Sequence, residues 1–399
     1  MTDSPIPHHF APEYWSYAVS VMFKNKDIKK LRTWIEVDTR ALAHNFRLFR
    51  KFIGPKIKLM AVVKSNAYGH GLIETSQVFA KLGADWLGVD SMTEALALRK
   101  ARIKAPLLVL GYTLSVHFDE AAKQKITLTV SQFETIKELI AWSKKQGKAK
   151  LEVHLKVDTG MHRQGFLLGD FDRALTELAK AKRVVVTGLY SHLASPGHER
   201  FRSKTVAQGE EFKKFQAVVD VHRLKIQSHL TATGGALAYP EYQFDLVRIG
   251  LGMYGLWPTE ELMIKMKANL PLRPVLSWKT IVSEVKTLPA DGEVGYDFTQ
   301  AVKARTVLAV CPVGYWHGFA RHLSNCGQVL VRGVIAPVVG RVSMDMIVFD
   351  ASKVSELKVG DEVVLIDSDL TATHVANLIN TSAYETITTL NPLIWRFYK

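Results

Sequence analysis

Disulfides, membrane-length apolar runs and metal-ligand spacings are scarce or missing in this chain, and each gap closes a class of function. Two cysteines in 399 residues, Cys311 and Cys326, make no disulfide framework, and a reduced intracellular setting is the simpler expectation. No apolar run is long enough to span a bilayer. The opening stretch, MTDSPIPHHFAPEYWSYAVSVMFKNK, also lacks the positive n-region of a secretory signal. The expectation is a cytoplasmic protein with no membrane partner. Its 14 histidines fall into no HExxH or comparable pairing, which argues against a bound metal. Internal repeats and low-complexity linkers are absent too.

Acidic residues are the other shortage: 38 Asp and Glu stand against 52 Lys and Arg, a formal net charge of +14. Such a balance can announce a nucleic-acid partner. Here the cations are scattered, apart from KNKDIKKLR (24–32) and KAKR (180–183). A solvated surface biased toward small anionic ligands fits better, and no nucleic-acid partner is expected.

What the chain does have is an alternation. Apolar runs of strand type recur at 58–63, 86–89, 107–110, 126–130, 151–157, 184–190, 226–231 and 245–250. Amphipathic stretches such as IETSQVFAKLG (73–83) and FETIKELIAWSKKQG (133–147) lie between them. This pattern calls for parallel strands with helical crossovers. Eight runs fit a closed (β/α)8 barrel of TIM type, with an open doubly wound sheet as the competitor. After about residue 270 the texture changes to short β-rich runs, WKTIVSEVKTL, RTVLAVCPV, GQVLVRG and GDEVVLI among them, punctuated by Gly, Pro, Asn and Asp. These predict a C-terminal antiparallel β domain. The expected division is an extension over 1–31, a barrel over 32–265 and the β domain over 266–399. The run TWIEVD (33–38) is a strand that either domain could take.

In a barrel, residues just past the strand C-termini share one mouth. Lys64 and Tyr68 follow the first run, and Lys156, Asp158 and Arg163 follow the fifth. Ser191 and His192 follow the sixth; Thr231, Thr233, Gly234 and Gly235 follow the seventh; Arg248 and the turn IGLG close the eighth. A strand-end lysine is ordinary solvation, tight turns use glycine, and Arg248 alone reads as a barrel-end ion pair. Together they suggest more. Thr233 and the glycines around Gly250 offer a hydroxyl and closely approaching N–H groups to a phosphate. A phosphate there and a lysine from the first strand suggest pyridoxal phosphate, whose aldehyde needs a lysine Schiff base.

The stretches AVVKSNAYGHG, HLKVDTGMHRQG, GLYSHLAS, FDLVRIGLGMYGL, VGYDF, GRVSMD and AYETITTL come in the order and approximate spacing of alanine racemases. From about Arg32 onward the chain resembles that family. The resemblance implies pyridoxal 5'-phosphate as cofactor, a barrel plus β domain, and active sites completed across a homodimer. It implies that Lys64 holds the cofactor and acts as base on one face of a small amino-acid substrate. Tyr296 of the partner subunit would be the base on the other face. His192 and Arg248 resemble the supporting residues near that tyrosine, with Arg248 donating to the pyridine nitrogen. Arginine keeps its protons, so the ring stays a weaker electron sink and transamination is discouraged. Arg163 resembles the residue that binds the substrate carboxylate and the cofactor's phenolic oxygen. Lys156 resembles a lysine that some members carry as a carbamate beside that arginine. Tyr68, Thr233, Tyr384 and the backbone at Gly250 and Leu251 would hold the phosphate. Met344 would bring a backbone N–H to the substrate from the partner.

Departures bear on substrate range more than on reaction type. Thr231-Ala232-Thr233 stands where the family commonly has Ala-Asn-Ser, GYWHGFAR (314–321) where it has GYADGYPR, and Asp297 where it has glycine. The tail NPLIWRFYK also differs from the usual Arg-Val-Pro-Arg-like end. Alanine is the default substrate, supplying D-alanine for peptidoglycan, with serine or a broader or basic range as alternatives. A cofactor-carrier protein would need neither Tyr296 nor a β domain. A barrel-type decarboxylase would be expected to place a carboxylate on the pyridine nitrogen, where this chain has Arg248.

Overall fold

Burial on both faces marks the strands that build the site. The computed structural model describes residues 28–145 and 147–399; the extension predicted over residues 1–31 lies mostly outside the described residues. Strand β1 (Thr33–Val37) comes first and belongs to a sheet taken up below. Eight parallel strands follow: β2 (Lys58–Val62), β3 (Trp86–Val89), β4 (Leu107–Val109), β5 (Ile126–Val130), β6 (Leu151–Lys156), β7 (Val184–Tyr190), β8 (Gln227–His229) and β9 (Leu246–Ile249). β3, β4, β5 and β9 are buried at every position. That is what a sheet covered by helices outside and filled inside requires.

The order β8-β7-β6-β5-β4-β3-β2-β9 wraps round, because β9 pairs with the first barrel strand through Lys58–Leu246 to Ala61–Ile249. Between β8 and β9 there is a single bridge, Ala232 to Arg248, with Arg248 N–H donating to Thr231 O at 3.1 Å. The barrel is therefore nearly closed. Met60, Val62, Trp86, Leu108 and Leu246 form an apolar cluster on these strands. Helices alternate with the strands, as in Thr39–Ile53, where the Asp38 carboxylate caps the N–H groups of Arg40 and Ala41.

The chain divides into two compact units. The barrel unit comprises Val37–Leu276, Thr381–Thr389 and Tyr398–Lys399. The helix Ala383–Thr388, far along the chain, thus belongs with the barrel.

Among the described residues the other unit comprises 28–36, Ser277–Asn380 and Leu390–Phe397. It contains β10 (Leu276–Ile281), β11 (Glu284–Leu288), β12 (Glu293–Val294), β13 (Gln300–Ala301), β14 (Thr306–Cys311), β15 (Gln328–Val331), β16 (Val334–Pro337), β17 (Ile347–Asp350), β18 (Glu362–Ile366) and β19 (Trp395–Tyr398). A six-stranded sheet runs β16-β15-β18-β10-β1-β19, so the early strand β1 sits within this β unit. A three-stranded sheet, β11-β14-β17, and the ribbon β12-β13 complete it. Alternating burial in β10 shows one face on a core and one toward solvent.

Candidate active site

β2 ends in a turn of unusual backbone. Ser65, Asn66, Ala67 and Tyr68 have φ of +56°, +55°, +51° and +54°, four successive non-glycine residues in the left-handed region. Such a run is costly for L-residues and persists only where its surroundings over-determine it. Three side chains contribute here, one of them His70, whose Nδ1 lies 2.9 Å from Tyr68 O. The Asn66 side-chain oxygen accepts from Leu72 N at 2.9 Å. The Glu94 carboxylate accepts from Asn66 N at 3.2 Å and from Asp90 N at 2.8 Å. Glu94 therefore ties the turn after β2 to the turn after β3, and Lys64 Nζ lies 3.1 Å from Asp90 Oδ1.

The turn delivers Lys64 and Tyr68 to a cavity of about 680 Å³ at the strand C-termini. Lys156 and Arg163 line it from the β6 end and His192 from the β7 end. Thr233, Arg248, Gly250 and Leu251 line it from the last two strands, and Tyr384 from the helix Ala383–Thr388. All of these residues belong to the barrel unit. Tyr296 and Met344 belong to the β unit, 68% and 54% exposed respectively, and neither lines this cavity.

One end of the cavity is a cradle. Thr233 Oγ1 accepts from Gly250 N at 3.3 Å and from Gly252 N at 3.4 Å. A Cβ on Gly250 would stand 2.4 Å from the Tyr68 hydroxyl, so that hydroxyl is admitted only because position 250 has no side chain. The Tyr68 ring packs against Tyr254 and Tyr384, with centroids 4.9 and 6.0 Å away. Burial pushes the Tyr68 phenol above its ordinary range and Tyr384 up to about 12, so both remain hydroxyl donors. Hydroxyl donors beside a backbone turn suit a phosphate.

At the other end sits Arg248, 3% exposed. Its Nη1 donates to His229 Nδ1 at 2.7 Å and His229 O at 3.0 Å; its Nη2 donates to Ser191 O at 2.7 Å, Leu230 O at 2.8 Å and His192 Nδ1 at 3.3 Å. None of these partners is a carboxylate. Burial lowers the Arg248 pKa to about 10, still charged at neutral pH. Burial, then the Arg248 charge, hold His192 down to about 3. A neutral His192 that accepts at Nδ1 carries its proton on Nε2. Lys156, 8% exposed, donates to Gln164 Oε1 at 2.8 Å, and Gln164 Nε2 donates to Ser131 Oγ at 3.1 Å. Burial, then Arg163, Arg248 and Lys64, lower the Lys156 pKa to about 8. Arg163 is exposed on a loop whose backbone is gathered by Asp158, which accepts from the N–H groups of Gly160, Met161 and His162.

Sequence reading passed over Asp90, Glu94 and His154. A carboxylate four residues ahead of another in DSMTE (90–94) is an ordinary helix start, and nothing in it signals Lys64. Trp316 and His317 lie within GYWHGFAR (314–321), one of the departures that bear on substrate range. On the β unit, Tyr315 and Trp316 are exposed, whereas His317 is 9% exposed and braces its own turn by accepting from Gly314 N at 3.2 Å. Asp297 has φ of +59°, within reach of Asp but easier for glycine, and is held by Arg341 Nε at 2.8 Å.

A nearly closed (β/α)8 barrel, with a lysine, a guanidinium that meets no carboxylate and a hydroxyl-lined glycine turn at one mouth, defines a protein of the barrel-enzyme class. Known proteins narrow the class. Residues 37–258 match the alanine racemase N-terminal domain and residues 275–398 the alanine racemase C-terminal domain. Alanine racemase 2 of Bacillus subtilis is 38% identical over 92% of this chain and 94% of its own length. The solved alanine racemase of Clostridium difficile superposes with a TM-score of 0.87 at 30% identity, over 92% of this chain and 96% of that one. Alanine racemase from D-cycloserine-producing Streptomyces lavendulae gives 0.85 at 34% identity, over 92% and 97%. The chain belongs to the alanine racemase family.

Proposed function

We propose that this chain interconverts L- and D-alanine at the barrel mouth with pyridoxal 5'-phosphate, as a homodimer in which each subunit completes the other's site. It is an isomerase, an amino-acid racemase. The observation that carries the cofactor reading is the cradle: Thr233 Oγ1, two glycine N–H groups and the Tyr68 hydroxyl meet where a Cβ on Gly250 would collide. When bound, the cofactor withdraws electrons from the substrate α-carbon and acidifies its hydrogen. Lys64 would hold it and would move a proton on one face. The other face is served by Tyr296 of the partner subunit, consistent with the exposure of this tyrosine on the β unit.

A phenol has a reference pKa near 10 and needs a cationic neighbourhood to act as a base. His192, its proton on Nε2 and Arg248 behind it, is disposed to donate to that phenolic oxygen. Arg248 would hold the cofactor's ring nitrogen and, as a guanidinium, would not surrender a proton to it. Arg163 receives the substrate carboxylate, with Lys156 lining the same cavity, and Met344 of the partner subunit offers its backbone N–H. The lowered pKa of Lys156 raises the share of neutral amine, the form that carbon dioxide would capture as a carbamate. The product supplies D-alanine to peptidoglycan synthesis in the cytoplasm; among the described residues no helix is long and apolar enough to cross a membrane.

The test is a screen of L- and D-amino acids in deuterated water. Alanine should exchange its α-hydrogen while its enantiomers interconvert. Tyr296→Phe should abolish interconversion and leave Lys64 attached to the cofactor. Absence of exchange with every amino acid at full cofactor occupancy refutes the reading, and full activity in Tyr296→Phe refutes the second base.

A further inference from the structure

Three strands bring three basic side chains together inside the barrel below the mouth. His154 comes from β6, His229 ends β8 and Arg248 lies in β9; the two histidines are 0% exposed. Their hydrogen bonds have only one consistent direction. A guanidinium has no acceptor, so the 2.7 Å contact from Arg248 Nη1 places a lone pair on His229 Nδ1. His229 then carries its proton on Nε2, which lies 2.9 Å from His154 Nδ1. His154 Nδ1 is the acceptor there, which moves its own proton to Nε2. That nitrogen is buried and has no hydrogen-bond partner among the described residues. A side chain selected for packing alone would not bury a donor unmet. The acceptor at Nδ1 is what histidine provides here.

We propose that His154 is a positioning residue: by accepting the Nε2 proton of His229 it locks that ring as an acceptor for Arg248 and aims the guanidinium at the barrel mouth. The functional consequence rests on the reading of Arg248 as the partner of the cofactor ring.

The backbone is arranged around this contact. The β6–β7 register shifts between Val153 and His154, pairing Val153 with Val186 but His154 with Gly188. This irregularity sets a glycine opposite the histidine. A Cβ at Gly188 would stand 2.5 Å from three atoms of the His154 ring. Tyr190 stacks on His229 with centroids 4.8 Å apart and planes 4° apart, and Trp86 lies 5.2 Å from His154. Neither ring is free to turn. Because the relay ends on a neutral ring, the charge of Arg248 is not cancelled and stays available to a ligand. Burial and then Arg248 hold His154 down to about 3, which keeps the end neutral across the physiological range.

The test uses the full-length protein with 15N-labelled histidine, together with His154→Asn, His154→Leu and Gly188→Ala. Two-bond proton–nitrogen correlations should show both His154 and His229 protonated on Nε2, with the His229 proton slow to exchange. His154→Leu removes the acceptor and should speed that exchange. For alanine its kcat should fall roughly tenfold with KM nearly unchanged, as the loss of one buried hydrogen bond would give. His154→Asn, which restores an acceptor oxygen, should recover most of kcat. Gly188→Ala should imitate His154→Leu without deleting any polar group. A His229 proton on Nδ1 overturns the proposal. So do wild-type kcat and slow exchange in both His154→Leu and Gly188→Ala. If the leucine variant does not fold, the wild-type spectrum and Gly188→Ala decide. If the wild-type protein turns over no amino acid, the racemase reading fails while the spectrum still judges the relay.

Discussion

Replacing Glu94 with alanine should unlatch the turn that presents Lys64. At about 1–2 kcal/mol per left-handed residue, the four residues Ser65 to Tyr68 store about 4–8 kcal/mol. Glu94 opposes this with two charge-assisted bonds, to Asn66 N at 3.2 Å and Asp90 N at 2.8 Å. A bond to a charged group contributes about 1.5–3 kcal/mol when water is excluded and less at an exposed position. The contact with Asn66 is partly buried and that with Asp90 exposed. The expected destabilisation is therefore about 2–4 kcal/mol, read by urea unfolding with tryptophan fluorescence. Glu94→Gln, which keeps one acceptor but turns a donor toward an N–H, should fall between. Ser65→Gly is the control of opposite sign. Ser65 is exposed and left-handed, so glycine there should stabilise by about 0.5–1 kcal/mol. The second readout is the rate at which Lys64 attaches pyridoxal phosphate, trapped by borohydride reduction. It should slow in Glu94→Ala because the lysine no longer sits on a fixed turn. If Glu94→Ala unfolds within about 0.5 kcal/mol of wild type and Lys64 attaches at the wild-type rate, the latch is refuted.

Other expectations follow from the same mouth. Gly250→Ala should drive the Tyr68 hydroxyl away from the cradle, 2.4 Å being too short for contact. Dialysis should then strip pyridoxal phosphate from this variant far faster than from wild type, and equal retention would argue against the cradle. Lys156 has a pKa lowered to about 8 from 10.5. The unfolded chain therefore binds the extra proton between those values, and stability from this group rises with pH across that window. Lys156→Met should stabilise the cofactor-free protein at pH 7 by up to about 3 kcal/mol and flatten its stability between pH 8 and 10.5. A steeper pH dependence in the variant would refute that assignment. Asp90→Asn removes the carboxylate 3.1 Å from Lys64 Nζ. Without this ion pair Lys64 should be held less firmly, so borohydride-trapped attachment of pyridoxal phosphate should slow in the variant, and an unchanged rate would show that Asp90 does not bear on Lys64.

The alternation of buried runs with amphipathic stretches was readable because a covered parallel sheet needs both, and the eight runs correspond to β2 through β9. Lys64, Arg248 and Thr233 were readable because a barrel sends strand-end residues to one mouth, a rule of topology that needs no contact information. The left-handed turn was not. SNAY (65–68) contains no glycine, and its backbone is made tenable by contacts that the sequence does not announce, those of Glu94, Asn66 and His70 among them. The place of Tyr384 was readable only through resemblance, since its helix joins the barrel unit from residues 381–389.

By itself, then, the sequence determined the strand inventory, the order of the two textures and the polar residues that end five of the eight barrel strands. These depend on periodicity and on local chemistry, which neighbours in the chain share. The tertiary structure decided which polar groups meet. It paired Asp90 with Lys64, set Gly188 opposite His154 through a register shift, and ran Arg248 into two neutral histidines. The partners in these contacts lie from 19 to 75 residues apart, and only barrel closure brings β8 and β9 back to the strands that preceded them.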